Sequence, residues 1–322
     1  MTGIDVSPLS CQETVKKVGF SMLIRDAITE FHFDCQVRKL SPKTIALYDR
    51  QLEYIAAYME QTTGLTNIED VRSIHIKKFL VTKGEAGRKP QYINDLLKAF
   101  KVFFKYCYQE GHIQTDPCAK VQNVKQPKLK LRTFNEEEIR KMLNYYNGRR
   151  FTDIRNKTML AMFFDTGMRL NEVLTLKQEQ IHDEYILVHG KGNKERLVPV
   201  SPFLAKLLLK YRIAKDSYFN VNTIPQNYVF VSYRGTQLNQ QAVSNMMKAA
   251  AEAVGVRKEV RVSPHTCRHT FAHIQLKNGL DLYSLSRLMG HENISITQRY
   301  LDGIKDDEVL IAAKQTGVLA HL

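Results

Sequence analysis

The chain has 322 residues, enough for two domains of ordinary size that each bury an apolar core. Hydrophobic residues make up 43% of it and charged residues 25%, a composition typical of a globular protein and not of a disordered one. Lys and Arg number 47 against 33 Asp and Glu, and the net charge of +14 favours an acidic polymer or surface as partner. The plain alternative is a basic protein with no such partner.

The distribution of charge bears on the class of partner. The basic surplus is as large in residues 1–133 as in residues 134–322, which suits two domains that both contact a polyanion. A membrane-binding protein more often gathers Lys and Arg on one amphipathic segment. No apolar run approaches the length of a membrane span, and the N-terminus lacks the pattern of a signal peptide. We therefore expect a cytoplasmic protein with no membrane partner.

Cysteine usage agrees with that expectation. The five cysteines are odd in number and widely spaced, and no Cys-x-x-Cys pair occurs among Cys11, Cys35, Cys107, Cys118 and Cys267. This pattern favours neither a disulfide framework nor a zinc ribbon. We expect reduced and mostly buried thiols, with Cys267 filling a helix interface.

The first 118 residues predict a leader followed by a helical domain. Residues 1–19 show no clear apolar period and are predicted to be a flexible leader. Residues 20–118 are predicted to form a four-helix domain, with helices over about 21–38, 41–58, 73–82 and 90–109. Ser41 and Pro42 are a favourable cap and first-turn pair. The aromatic row of the last helix predicts core packing, because such rows are more often core than a stacking platform for bases.

Residues 119–133 are predicted to be a basic linker. The segment 120–132 carries five basic residues, no acidic residue and one proline, which favours an extended connection. It is either a solvated connection or a strap that follows a phosphate backbone while two domains grip a duplex. The charge of the rest of the chain favours the strap.

Residues 134–303 predict a second domain that is mixed α/β and mostly α. Asn135, followed by three glutamates, marks the start of a helix. Residues 184–200 read as two strands around a Gly-Lys-Gly-Asn tip, and the run 228–231 is expected to join this sheet. Helices are predicted near 202–215, 239–254, 264–278 and 281–289. The fold class is therefore mainly α with a small antiparallel β-sheet.

Six residues of this second domain have side chains suited to phosphoryl transfer, namely Arg169, Lys191, His265, Arg268, His291 and Tyr300. Guanidinium groups clamp phosphate oxygens bidentately, imidazoles and an ammonium exchange protons, and a phenol can attack phosphorus. Each residue also has an ordinary reading: a surface arginine, a loop histidine, a packed tyrosine. No metal or other cofactor is required.

The short sequence motifs around these residues are more specific than the residues themselves. They read TGMRLNE over 166–172, GKGNKER over 190–196, HTCRH over 265–269 and GH over 290–291, nine residues before Tyr300. Their order and spacing resemble the tyrosine site-specific recombinases, the integrase family. Two positions depart from the family's usual residues, Met168 and Cys267, and both keep an apolar side chain.

The resemblance implies a mechanism. The four-helix domain would be a core-binding domain and residues 134–303 the catalytic domain, in which Tyr300 attacks a DNA phosphate to give a 3′-phosphotyrosyl link and a free 5′ hydroxyl. His265 and Arg268 fall at a helix start, where free N–H groups favour an anion. His265 is the candidate base, Lys191 the general acid, and His291 a hydrogen-bond donor to the phosphate. His269 and His273 lie outside the six and are interpreted as structural.

The resemblance also implies the partners. Because only about 19 residues precede the bundle, no arm-binding domain is expected, and double-stranded DNA with inverted-repeat core sites is the expected substrate. Residues 304–322 read as an acidic cap and an apolar helix. This tail helix is expected to dock on a neighbouring protomer in a DNA-bound homotetramer.

Candidate DNA contacts are chosen by position and charge. They are Lys43 and Thr44 at one helix start, Arg88, Lys89 and Gln91 at another, and Lys194 and Arg196 in the hairpin. Ordinary surface charge explains them nearly as well.

Two other classes of function remain open from the sequence. A type IB topoisomerase shares the tyrosine chemistry but relaxes DNA as a monomer. A non-catalytic DNA-binding regulator needs the charge and the bundle, but it leaves the six-residue set unexplained. A metal-dependent tyrosine relaxase is disfavoured, because no His-hydrophobic-His ligand pair occurs.

Overall fold

A computed structural model describes residues 21–127, 132–190, 195–219, 227–291, 293–298 and 300. The chain divides into two compact units, residues 1–128 and 129–322, and the division falls within the segment predicted as a linker. The predicted leader and tail helix lie outside the described residues, as do Cys11, Lys191 and Lys194. None of the helices in the described ranges combines the length and the apolar character that a membrane crossing needs.

The first unit is built on four helices, as the sequence predicted. They are α1 (Ile24–Val37), α2 (Pro42–Tyr58), α3 (Ser73–Glu85) and α4 (Pro90–Gln109). Ser41 caps α2, because its Oγ accepts a hydrogen bond from the Thr44 N–H at 3.2 Å and Pro42 supplies the first turn. A π-helical turn, Met59–Thr63, continues α2 and ends at Gly64 in the left-handed region.

Aromatic side chains form much of the core of this unit. Phe100, Phe103 and Phe104 of α4 are at most 1% exposed. The Phe103 ring packs edge-on against Phe31 of α1, with ring centroids 5.6 Å apart. This contact geometry favours burial over stacking with bases. The prediction that the aromatic row is core is therefore confirmed.

Part of the predicted linker is attached to the first unit. The Asn94 side chain of α4 donates to the Val124 carbonyl at 2.9 Å and accepts from the Val124 N–H at 2.8 Å. Val121 is buried in the same core. Val121 and Val124 are therefore held on the first unit, Val121 by burial and Val124 by its hydrogen bonds to α4.

The second unit contains eight helices and one hairpin within the described ranges. They are α5 (Glu136–Tyr145), α6 (Phe151–Thr166), α7 (Leu170–Leu174), β1 (Tyr185–His189), β2 (Glu195–Pro199), α8 (Pro202–Tyr218), α9 (Gln240–Val254), α10 (Pro264–Lys277), α11 (Leu282–Met289) and α12 (Ile294–Gln298). Asn135 caps α5 in a reciprocal arrangement with Glu138. The mainly α fold class is confirmed.

The hairpin forms as predicted, but the third strand does not. β1 and β2 pair antiparallel, with Leu187 opposite Leu197. Residues 228–231 make isolated bridges instead, Tyr228 to Lys177 and Val231 to Gln237, so the prediction that this run joins the sheet was wrong. Val229 and Phe230 are buried beside α8, which explains the apolar run without a ladder.

The core of the second unit fixes α10, the helix that carries two candidate site residues. α10 packs on α6 and α11, and its buried side includes Cys267, Thr270 and Phe271. Cys267 is fully buried, and this burial raises the pKa of its thiol well above the usual value. Together with Cys35, Cys107 and Cys118 it is a buried free thiol, as predicted for these four.

Gly167 at the end of α6 provides a test of this packing. Its φ of +59° lies in the left-handed region, and an added Cβ would lie 2.4 Å from Cδ1 of Phe271. We expect Gly167→Ala to lower the free energy of unfolding by about 3 kcal/mol, since left-handed strain and overpacking add. Gly255→Ala is the matched control: Gly255 has φ +69° but open space around it, so only about 1 kcal/mol should be lost. If urea unfolding showed the same loss of stability for both variants, the Phe271 side chain would move aside at no cost, contrary to this prediction.

Candidate active site

The start of α10 carries two of the candidate residues. Ser263 caps the helix by accepting from the Thr266 N–H at 3.2 Å, and Pro264 occupies the first turn. His265 is exposed, whereas Arg268, one turn later, is only 3% exposed. Both line an open cleft of about 1100 Å³, which Arg169 also lines. The cap therefore sets the position of a buried cation and an exposed imidazole at one cleft.

Arg268 is held by the ends of two other helices. Its Nη1 donates to the Gly167 carbonyl at 2.8 Å, just after α6, and its Nη2 donates to the Met289 carbonyl at the end of α11. Helix C-termini carry partial negative charge, which suits a cation. Burial, and next the charge of Arg169, lower the pKa of Arg268 to about 10, so it stays protonated near neutral pH.

Arg169 stands at the N-cap of α7 and is more exposed, at 42% of its side chain. Its Nη1 donates to Glu172 Oε1 at 2.9 Å, and its Nη2 donates to the Gly290 carbonyl at 3.1 Å. Gly290 caps α11 with φ +62°. The two arginines therefore meet adjacent carbonyls at the end of one helix, Met289 for Arg268 and Gly290 for Arg169.

Glu172 is the carboxylate that organises this cluster. It accepts from the backbone N–H and the guanidinium of Arg169, and from both terminal nitrogens of Arg196 at 2.9 and 2.7 Å. Burial opposes its ionisation, but the hydrogen bonds from Arg196 and Arg169 outweigh this, and the pKa of Glu172 is lowered. The sequence interpretation missed Glu172, although a glutamate three residues after the N-cap of a helix is one half of the capping-box signal: its carboxylate accepts from the N-cap backbone N–H, here that of Arg169.

Arg196, which the sequence predicted as a phosphate contact, makes its hydrogen bonds within the protein. Its side chain is 9% exposed, its Nη atoms donate to Glu172, and its Nε donates to the Leu288 carbonyl at 2.8 Å. In this structure Arg196 ties β2 to α11, and its partners within the protein are the reason for its burial.

The hydrogen bonds of His291 identify its protonation state. Nε2 lies 3.0 Å from Nη2 of Arg268, which can only donate, so Nε2 accepts. The proton is therefore on Nδ1, which donates to Thr297 Oγ1 at 2.8 Å. Burial, followed by the charges of Arg268 and Arg169, lowers the pKa of His291 to about 4. A neutral His291 does not donate from Nε2, so donation to a phosphate requires a change of protonation or tautomer.

Tyr300 lies between two imidazoles. Its ring centroid is 5.1 Å from that of His269, edge to face, and 6.1 Å from that of His291, nearly parallel. The residue is 5% exposed and packs with Phe271, Leu285 and Met289. The structure thus brings five of the six candidates together: Arg169, His265, Arg268, His291 and Tyr300. Lys191, the sixth, lies outside the described residues.

His269 joins this group although the sequence interpretation left it structural. Its Nε2 lies 2.8 Å from Nε2 of His265, one helical turn earlier. It therefore contacts both His265 and Tyr300. Its four-residue separation from His265 on a helix was the available signal, because residues at that spacing share a face.

The other candidate DNA contacts lie in the first unit, at the starts of α2 and α4. Lys43, Arg88 and Lys89 are exposed. Thr44 shares a hydrogen bond with Ser41, and Gln91 donates to Asp95 at 2.8 Å. These side chains are compatible with an anion near a helix N-terminus but do not themselves specify one.

Neither cleft of the site has the composition of a metal centre. A second open cleft of about 1030 Å³ borders the first at Arg169 and is lined by Arg196, Arg287 and His291. Within the described ranges, no three His, Cys, Asp or Glu side chains are grouped to hold a metal ion. What converges here is positive charge, which suits an anionic group such as a phosphate.

Comparison with known proteins matches both halves of the chain. The phage integrase family matches residues 132–306, and the phage integrase N-terminal SAM-like domain matches residues 29–111. The tyrosine recombinase XerD of Listeria monocytogenes is 30% identical over 86% of this chain and 94% of its own length. XerD of Halalkalibacterium halodurans is 31% identical over 84% and 90%.

Solved structures share the fold. XerH site-specific recombinase bound to palindromic difH substrate is 22% identical, with a TM-score of 0.72 over 89% of this chain and 84% of that one. A lambda integrase dimer bound to a COC′ core site is 18% identical, with a TM-score of 0.67 over 88% and 78%. The family match covers more than half of the chain, and each of the two XerD relatives matches more than four fifths of it. The chain therefore belongs to the phage integrase family and is a tyrosine recombinase.

Proposed function

We propose that this site-specific recombinase cuts and rejoins DNA by attack of Tyr300 on a strand phosphate. The observation that carries the proposal is the position of Tyr300, between His269 and His291, with His291 hydrogen-bonded to the buried Arg268. A phenol beside imidazoles and fixed cations is suited to nucleophilic attack on an anionic phosphodiester.

In this proposal the two arginines bind the non-bridging oxygens of the phosphate. A guanidinium carries five N–H donors. Three donors of Arg268 and two donors of the Arg169 side chain are used in the hydrogen bonds described above, and the others can bind a phosphate. Because protein carbonyls and Glu172 already fix both groups, little reorganisation is needed when charge builds in the transition state. Such preorganised electrostatic stabilisation is usually the largest catalytic contribution.

The proton steps follow from the same groups. The phenol loses its proton as its oxygen bonds to phosphorus, and the departing 5′ oxygen gains one. Lys191 is assigned the second step as general acid, on family resemblance. The product is a 3′-phosphotyrosyl link with a free 5′ hydroxyl, and reversal of the attack rejoins a strand without ATP. No cofactor enters these steps.

The partner in this proposal is double-stranded DNA with inverted-repeat core sites. Residues 20–118 serve as the core-binding domain, 119–133 as a basic linker and 134–303 as the catalytic domain. The likeness to XerH and lambda integrase, each bound to its DNA site, supports this assignment. Contacts come from Lys43, Thr44, Arg88, Lys89 and Gln91, and from Lys194 and Arg196. The tail 304–322 docks on a neighbour in a homotetramer, and the protein works in the cytoplasm.

Removing the phenol oxygen tests the nucleophile. A library of nicked duplexes with randomised inverted-repeat arms traps covalent complexes, because the nick lets the departing fragment diffuse away. We expect wild type to form a protein–DNA adduct and Tyr300→Phe to form none. Tyr283→Phe makes the same chemical change at a tyrosine that is 63% exposed on α11, and it should react like wild type. An adduct formed by Tyr300→Phe would place the nucleophile elsewhere.

Exchanging the buried guanidinium tests the phosphate clamp. Arg268→Lys keeps the charge but cannot hold the Gly167 and Met289 carbonyls and a phosphate at once. We expect single-turnover cleavage of the captured DNA to slow by about 100- to 1000-fold. Arg212→Lys, at an exposed position of α8, should leave the rate unchanged. A rate for Arg268→Lys within about threefold of wild type would contradict the clamp.

The lowered pKa of His291 predicts how stability depends on pH. Above pH 6.5 the imidazole is neutral in both folded and unfolded chains. Between pH 6.5 and about 4 the unfolded chain takes up a proton that the folded chain does not, so stability falls as pH falls. The slope of the free energy of unfolding against pH gives the number of protons taken up on unfolding. We expect His291→Gln to lower this number by about one in this pH range, as measured by urea unfolding at several pH values. An unchanged slope would show that His291 is not held neutral.

A further inference from the structure

His265 and His269 form a pair that shares one hydrogen. Their Nε2 atoms are 2.8 Å apart and their ring centroids 4.2 Å apart. At this distance one nitrogen carries the hydrogen and the other accepts it, because two N–H groups pointing at each other would repel. The pair therefore holds two protons when neutral or three when singly charged, but not four.

The environment of His269 indicates the direction of this hydrogen bond. Nδ1 of His269 is buried and has no hydrogen-bond partner. If Nδ1 carried a hydrogen, a buried N–H donor would have no acceptor. Such unpaired buried donors are rarer in proteins than buried acceptors with an unused lone pair. The favoured arrangement leaves Nδ1 bare and puts the His269 hydrogen on Nε2, donated to Nε2 of His265. His265 then carries its own hydrogen on Nδ1.

The ring of His269 is in edge-to-face contact with Tyr300, the proposed nucleophile, at a centroid distance of 5.1 Å. In the chain alone the Tyr300 hydroxyl does not hydrogen-bond to Nδ1 of His269, and catalytic hydrogen bonds of this kind often form only when the substrate is bound. His265, in contrast, is exposed and lines the cleft beside Arg169 and Arg268. The chain of groups therefore runs from a buried phenol, through a half-buried imidazole, to an exposed imidazole at the cleft. This order is that of a proton path leading outward.

Building on the proposed function, we propose that His269 is a proton-relay residue: it takes the Tyr300 hydroxyl proton at Nδ1 while its Nε2 proton passes to Nε2 of His265. As the phenol O–H bond breaks, the oxygen's electron pair forms the bond to phosphorus. His269 gains one proton and loses one, so it is neutral before and after. His265 ends as the imidazolium, with hydrogens on both nitrogens, and the departing 5′ oxygen is protonated by a separate acid.

The relay delivers positive charge to the cleft in which the phosphate is bound. Burial, and then the neighbouring His265 and Arg268, lower the pKa of His269 to about 4, so this ring is poorly suited to keep a proton. Burial and the charge of Arg268 also lower the pKa of His265 in the chain alone, but His265 lines the cleft, where the phosphate bound by the arginines would favour its protonated form. The charge produced by activating the nucleophile therefore ends beside the anion that is being attacked.

The kinetic test uses DNA captured by the wild-type protein from the randomised nicked library, and it measures adduct formation in a single turnover. We expect His269→Ala to slow this step by about 100-fold or more, the usual scale of acid–base catalysis. His269→Gln restores an amide that can hydrogen-bond to His265 but cannot pass a proton, so it should stay slow. Added imidazole should speed His269→Ala several-fold and leave His269→Gln unchanged.

Two controls separate the relay from other causes. His273→Gln makes the same exchange one turn further along α10 and should leave the rate unchanged. A substrate with sulfur in place of the 5′ bridging oxygen has a leaving group that needs no protonation. It should not rescue His269→Ala, because the relay acts on the nucleophile. A His269→Gln rate equal to wild type, or rescue by sulfur, would overturn the relay.

A second measurement needs neither variants nor DNA. Nitrogen chemical shifts of the imidazoles in the wild-type chain report which nitrogen bears the hydrogen. We expect Nε2–H for His269 and Nδ1–H for His265 near neutral pH, and the reverse pair of tautomers would overturn the inference. The proposed function fails separately, by absence of a Tyr300-dependent adduct, so loss of one proposal is distinguishable from loss of the other.

Discussion

The buried guanidinium of Arg268 is the constraint on which the site depends. A cation that is only 3% exposed must find compensating charge, and it finds carbonyl oxygens just after α6 and at the end of α11. Gly167 and Met289 are more than a hundred residues apart in the chain. One side chain therefore fixes the mutual position of three helices, and the candidate residues at the ends of these helices meet as a consequence.

The arrangement around the arginines explains why two of the sequence motifs contain glycine. Gly167 and Gly290 end their helices with positive φ, and each turns a carbonyl toward an arginine, Gly167 toward Arg268 and Gly290 toward Arg169. Space is also limiting, since a Cβ on Gly290 would lie 3.0 Å from the Arg196 side chain. Glycine is thus needed at position 290 for the positive φ, and also because the Arg196 side chain, which Glu172 holds, approaches closely.

Local signals in the sequence predicted the elements, while partners had to come from the structure. Ser41 with Pro42 predicted the start of α2, because capping involves neighbours in the chain. The run 228–231 was wrongly assigned to the sheet, because an apolar run predicts burial but does not identify what covers it. Arg196 was predicted as a DNA contact from its charge alone, because its partners Glu172 and Leu288 are distant in sequence. The six candidate residues were found from the order of the sequence motifs, whereas His269 was recognised only from its contacts in the structure.

The electrostatics of the site connect substrate binding with the proposed chemistry. In the chain alone, burial and then the charges of Arg268 and Arg169 lower the pKa values of His265 and His291, which disfavours the protonated form of both imidazoles. A phosphate bound by the arginines brings negative charge to the same place, and negative charge favours the protonated imidazole. The acceptors at the cleft thus become more basic only when an anion is bound. In the proposed mechanism, loss of the phenol proton is then favoured in the DNA complex and disfavoured in the free protein, so that activation of Tyr300 would be coupled to the presence of the phosphate.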